Sequence, residues 1–257
     1  MIGNWWRRRR EARVLLQRAI PDSLWLDTLQ RYPFLHQRDE ADRAELRRLA
    51  TLFLADKEFS GAGGLVVTDE MAVAVAAQAC LPILRLGLAS YDSFVGIVMH
   101  SDEVVARRQA TDEAGVVHDY DEVLSGEAME GGPVMLSWRD VAEAGASAEM
   151  GYNVVIHEFV HVLDMRDGLA DGIPPMPSRA ERKRWSDVLS GEYERLREDV
   201  DRGFDTFLDP YGAESLEEFF PVAAEAFFVA PQGLLAEHPA LYDLLRSYFR
   251  QDPAPGG

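Results

Sequence analysis

Between Asn153 and Gly168 the chain reads NVVIHEFVHVLDMRDG, a run whose polar groups cannot belong to an ordinary surface helix. At about 100° per residue, with His157 set at 0°, His161 falls at about 40°, Asp164 at about −20° and Glu158 at about 100°. Those four share one stripe. Val155, Ile156, Phe159, Val160, Val162 and Leu163 fill an apolar sector too wide for a helix lying against solvent. The pattern predicts a helix buried on most sides, with two imidazoles and two carboxylates turned into the protein. Groups of that kind need partners once they leave water.

A divalent metal satisfies them together. Histidines at i and i+4 converge on one ion at about 2.0–2.1 Å, and the H-E-x-x-H spacing places a glutamate beside it as a general base. The alternative is a pair of core histidines bonded to carboxylates. A catalytic metal needs a third protein ligand, and two regions offer one. Where the third ligand follows six residues after the second histidine this chain has Asp167, but the glycine that turns the backbone there is replaced by Asp164. The helix is then expected to run to about Arg166, with Gly168 as its stop. The other region is DPYGAESLEEFFPVAAEAFF, Asp209 to Phe228, where Glu218 and Glu225 share one face of a helix otherwise rich in phenylalanine. Ser215 and Glu218 also match a capping box, which accounts for Glu218 but leaves Glu225 unexplained.

Length and composition bound the rest. The 257 residues, 47% apolar, suffice for one sizeable core, read as a single domain with a helical annex over 1–60, a core over 61–250 and a flexible tail over 251–257. The one cysteine, Cys80, excludes an intrachain disulfide and reads as a small buried hydrophobe, which fits a reducing compartment. NWWRRRREARVLLQRAI lacks the apolar stretch of a targeting segment, and Met71–Ala89 is interrupted by Gln78, Pro82 and Arg85, so neither is read as a membrane insertion. The net charge is −18, yet residues 1–50 hold eleven Lys/Arg against seven Asp/Glu, leaving 15 against 37 in the remainder. So acidic a body repels nucleic acid. The basic cluster Arg7–Arg10 behind Trp5 and Trp6 is too short to hold a membrane surface firmly, and reads as a mobile or locally paired helix start.

Along the chain, helical spacing runs from about Glu11 to Ala55, broken at Pro33. GLVV before Thr68 is expected as a short strand, followed by a helix ending near Pro82. SFVGIVMHS, VVARRQA, VVHDYDEV and GPVMLSW read as strands, and EAGASAEMG as a small-residue loop. Strands gathered ahead of the histidine helix and helices after it predict an α+β fold, with a small sheet packed on that helix. GPVMLSW is the expected sheet edge, where a peptide would add as a further strand. The acidic stretch Thr111–Gly132 is a candidate wall. His36, His100 and His118 lack partners at ligand spacing and are read as surface or hydrogen-bonded histidines, and His238, in AEHPAL, as a turn histidine.

The segments VVIHEFVHVLDMRDG, DPYGAESLEEFFPVAAEAFF, DKEFSGAGGLVVTDEM and GPVMLSW together resemble the Mlc titration factor A family of bacterial zinc peptidases, over about Trp5 to Phe249. The resemblance implies a cytoplasmic zincin-like metallopeptidase, with a core similar to that of the anthrax lethal factor protease and one zinc ion per chain. Carried onto this sequence, it makes His157, His161 and Glu218 the metal ligands, Glu158 the general base and Tyr211 a candidate oxyanion stabiliser. It leaves aminopeptidase and endopeptidase action both open. It also implies a second role, binding a transcriptional repressor of glucose uptake. Pro221 departs from the smaller residue usual in relatives, and removes one helix amide close to Glu218. Asp164 and Glu225, on the same stripes as the ligands, are expected to accept hydrogen bonds from the N–H groups of the ligands.

Overall fold

The computed structural model describes residues 2–102, 104–111, 117–124, 126–128 and 131–254. In chain order its elements are α1 (Ile2–Gln17), α2 (Asp22–Arg31), α3 (Pro33–His36), α4 (Glu40–Asp56), β1 (Glu58–Gly61) and α5 (Asp69–Cys80). Then come β2 (Gly96–His100), β3 (Val104–Thr111), β4 (Val117–Leu124), β5 (Gly126–Ala128), β6 (Val134–Ser137) and α6 (Trp138–Ser147). The last five are α7 (Val154–Asp164), α8 (Arg179–Asp201), α9 (Leu216–Val229), α10 (Pro231–Glu237) and α11 (Pro239–Phe249). This is an α+β arrangement, in which helices precede and follow the strands along the chain.

The sheet has the order β1-β2-β6-β5. β1, β2 and β6 are parallel, with Glu58 opposite Gly96 and Ile97 opposite Val134, while β5 joins β6 antiparallel with Gly126 opposite Leu136. β3 and β4 form a separate antiparallel pair. GPVMLSW is therefore not the edge: its strand, β6, is flanked on both sides, and the three residues of β5 take the edge. The apolar run Val134, Leu136 suits that interior place, since both residues are buried.

Other expectations also shift. GLVV forms no strand; the first strand is EFSG at 58–61, and the chain then turns so tightly that a β-carbon on Gly61 would lie 1.9 Å from the Leu65 carbonyl oxygen. Much of EAGASAEMG is helical, because Ser137 caps α6 by accepting the Asp140 N–H at 3.3 Å. Its small residues serve close packing: a β-carbon on Gly145 would stand 2.0 Å from the Arg31 carbonyl oxygen. The first helix begins at Ile2, earlier than Glu11, and Arg7 and Arg10 pair with Glu11 and Asp56. Gln251 to Ala254, expected to be loose, are docked, with the Gln251 amide on the Leu81 carbonyl at 2.8 Å and the Ala254 N–H on the Tyr242 hydroxyl at 2.9 Å. Residues 255–257 lie outside the described residues, as do residues 112–116, 125, 129 and 130 of the acidic stretch and the His118 side chain.

One hydrophobic cluster runs from Ile20 to Ala254 and takes in buried residues of α2, α4, α5, α7, α9 and α11, Cys80 among them. α7 lies inside it, every residue from Val154 to Asp164 buried. Phe159 fixes the roll of that helix, its ring 5.1 Å from Tyr91 and 5.6 Å from both Phe53 and Phe94. With the apolar side held there, the histidine stripe must face the other way. α9 is anchored similarly, Phe220 against Trp185 at 5.1 Å and Phe227 against Phe249 at 5.7 Å. Pro221 sits inside α9, and the helix continues past it to Val229. No single helix among the described residues is long and apolar enough to cross a membrane; α9 and α10 together reach that length but meet at 118°.

Candidate metal centre

Two helix starts aim the site. Asn153 caps α7 through its side-chain oxygen, which accepts the Ile156 N–H at 2.9 Å, and Ser215 caps α9 by accepting the Glu218 N–H at 3.2 Å. The cap on α9 uses the backbone of Glu218 and leaves its carboxylate free to point at α7. There His157 Nε2 stands 3.0 Å from Glu218 Oε2, His161 Nε2 stands 3.4 Å from the same oxygen, and the two Nε2 atoms are 3.2 Å apart. Among the described residues these three are the group of ligand atoms close enough together to hold one cation. Ligand bonds of about 2.0–2.1 Å at tetrahedral angles put neighbouring ligand atoms about 3.3–3.4 Å apart, close to the spacing found here.

Proton bookkeeping makes the same point. Glu225 Oε1 lies 2.7 Å from His157 Nδ1, so a proton shared there leaves a lone pair on His157 Nε2. That lone pair, the Glu218 carboxylate and His161 Nε2 converge on one point, an arrangement that is repulsive until a cation stands between them. In the metal-free chain a proton takes that place. Burial works against charge on His157, but the carboxylates of Glu225 and Glu218 outweigh it and hold its pKa well above the usual imidazole value. Burial also acts on Glu218, yet the bonds from both imidazoles prevail and keep its carboxyl well below the ordinary range. The donor set fits a divalent metal.

Glu225 carries more than the histidine. Its other oxygen accepts the Asn153 N–H, and the Asn153 amide donates to Gln78 Oε1 at 2.8 Å. A buried polar chain therefore links α5, the cap of α7, and α9 to the metal-facing imidazole. The expectation for Glu225 agrees with this geometry, and Glu225 itself is held partly toward the neutral form by burial. Asp164 behaves otherwise. It is fully buried, but it accepts the Gly172 N–H at 2.8 Å and bonds to neither histidine, because α7 gives way to a short 3₁₀ turn at 165–167 that carries the loop back over it. Asp167 stands apart from the cluster, 3.6 Å from Arg182.

Glu158 is 5% exposed, and one of its carboxylate oxygens has no hydrogen-bond partner among the described residues. Burial pushes its pKa up, and the two imidazoles pull it back only in part. Gly126 of β5 lies directly against it: a β-carbon there would stand 2.5 Å from Glu158 Oε1. Sequence reasoning missed Gly126, and nothing in LSGEAM marks it. Tyr211, in the 3₁₀ turn Pro210–Ala213 ahead of α9, is 40% exposed with its ring 6.0 Å from that of His157. Of the other histidines with described side chains, His238 is bonded to Glu192 at 2.7 Å and His36 is exposed.

An α+β fold that buries a helix bearing two histidines and a glutamate, and meets it with a carboxylate from a second helix, defines a protein built to hold a metal ion beside a proton acceptor. The comparisons agree. The family model described as Glucose-regulated metallo-peptidase M90 matches residues 4–250, and the chain belongs to that family. It is 35% identical to Mlc titration factor A of Serratia proteamaculans over 232 residues, covering 89% of this chain and 87% of the relative. Mlc titration factor A of Salmonella arizonae is 32% identical over 247 residues, with 95% and 96% covered. An uncharacterised protein of Synechocystis is 35% identical over 240 residues, with 93% and 87% covered.

Proposed function

We propose that the chain is a zinc-dependent peptidase, with His157, His161 and Glu218 as ligands, Glu158 as general base and Tyr211 as oxyanion donor. The observation that carries the reading is the meeting of Glu218, from α9, with both imidazoles of α7. When bound, zinc supplies a positive charge that polarises the scissile carbonyl and lowers the pKa of water toward about 7. Glu158 takes the proton of the attacking water and returns it to the leaving amine, a task suited to a carboxylate whose pKa burial has raised. Glu225 holds the His157 ring in the orientation that presents Nε2. Tyr211 donates to the carbonyl oxygen as negative charge builds on it. The peptide lies along β5, the strand that passes Glu158, and the whole chain works as one catalytic unit in the cytoplasm.

A digest of a peptide library by zinc-loaded wild type beside Glu158→Gln tests this. The variant keeps its metal and loses on the order of 10²–10⁴ in rate; equal turnover removes the assignment of Glu158. The relatives named Mlc titration factor A favour a second reading, the one the family resemblance implies, in which the chain binds and sequesters a repressor of glucose uptake and cleavage is secondary. Repressor binding without detectable cleavage by wild type would favour that role.

A further inference from the structure

On the side of the molecule built from α8, α11 and the turn after α7, a hollow of about 360 Å³ is lined by Arg166, Arg184 and Arg250. None of the three forms an ion pair or a side-chain hydrogen bond among the described residues, in a chain of net charge −18 where half of the arginines with described side chains pair with a carboxylate. Arg246, one turn before Arg250, is by contrast paired with Asp243 at 2.8 Å and Asp252 at 3.5 Å. One carboxylate, Glu181, also lines the hollow, but its partner is the Ser178 hydroxyl at 2.6 Å. The floor is aromatic, Trp185 buried and Tyr248 half-buried with their rings 5.1 Å apart. Burial raises the Tyr248 phenol above its ordinary pKa, so it stays a hydrogen-bond donor.

Arg250 adds an independent observation. It follows α11 in the left-handed conformation, φ 54° and ψ 36°, and is the one described residue other than glycine with positive φ. Glycine is the usual occupant of that helix-ending position, and a long side chain held there is strained. The strain has a use if the guanidinium must reach the hollow.

We propose that this hollow binds a small organic phosphate, its dianion held by Arg166, Arg184 and Arg250 and its body laid on Tyr248 above Trp185. Three unpaired guanidiniums match a dianion that accepts several charge-assisted bonds, and their forks suit phosphate oxygens better than a point charge would. The pocket is separate from the histidine cluster and does not depend on the peptidase reading.

Calorimetric titration with phenyl phosphate, inorganic phosphate and phenol tests it, on the full chain at low salt, with and without chelation of metal. Phenyl phosphate is expected to bind at least about tenfold more tightly than inorganic phosphate, phenol not to bind, and chelation to change nothing. Arg184→Gln and Arg250→Gly should each weaken phenyl phosphate about tenfold or more. Arg250→Gly is also expected to melt at the same or a higher temperature, because glycine relieves the backbone, so lost binding cannot be blamed on lost fold. Undiminished affinity in both variants, affinity that vanishes on chelation, or equal binding of inorganic phosphate would overturn the proposal.

Discussion

Glu225 Oε1 sits 2.7 Å from His157 Nδ1, on the far side of the imidazole ring from Glu218. The ring is thereby clamped between two carboxylates, one of which also accepts the backbone N–H of Asn153, the cap of the helix that carries it. Truncation of Glu225 frees the ring to rotate and leaves the Asn153 N–H unpaired. Glu225→Ala is expected to bind zinc about 10–100-fold more weakly while keeping one site per chain, measured by competition against a chromogenic chelator. Unchanged affinity would show that packing alone orients His157.

The same clamp sets a pH dependence. His157 in the metal-free chain has a pKa raised above its unfolded value, so the stability it contributes is complete below about pH 6.5 and is lost as pH rises through the folded pKa. Metal binding runs the other way, since the proton must leave first. Metal-free protein should therefore lose stability between neutral and alkaline pH while zinc affinity rises over the same range. Parallel curves would contradict this.

Asp164 gives a second titration with a definite sign. Burial raises its pKa from 3.8 to about 7, against the opposing bond from Gly172. The folded state thus binds the proton more tightly, and stability falls as pH climbs from about 4 to about 7, by up to a few kcal/mol. Asp164→Asn abolishes this slope. Denaturant titrations at pH 4.5 and pH 8 are expected to show the variant gaining on wild type at the higher pH, and a constant difference would refute the account.

Gly126 is the residue that permits Glu158 its position. A methyl group at 126 would occupy the carboxylate's place. Gly126→Ala is expected to keep metal content and fold yet to cut kcat about 10–100-fold by displacing the base. Wild-type kcat in that variant would separate β5 from the chemistry.

Much of this was legible in the chain because α7 leaves so little choice. Six apolar residues opposite two histidines and a glutamate fix both the burial of the helix and the direction of its polar stripe. Glu225 was legible for a related reason, as a carboxylate on a helix of phenylalanines that no capping role explains. The edge strand was not. Gly126-Glu127-Ala128 has poor strand propensity and is a strand only because β6 offers it an unpaired side. Asp164 misled because helical spacing gives direction but not partner: it does lie on the histidine stripe, and the Gly172 amide that claims it comes from a loop eight residues on. EAGASAEMG has the composition of a loop, and the close contact of Gly145 with Arg31 that makes small residues necessary in a helix there is a tertiary fact.

The central claim is that Glu218, across from the two histidines, completes the metal site. Zinc titration of Glu218→Ala and Asp167→Ala beside wild type, at one pH and with competing chelator, tests it most directly. Glu218→Ala is expected to lose zinc binding almost completely and Asp167→Ala, whose carboxylate faces Arg182 instead, to keep nearly wild-type affinity. Full affinity in Glu218→Ala would contradict it, and loss confined to Asp167→Ala would place the third ligand on the chain just after α7.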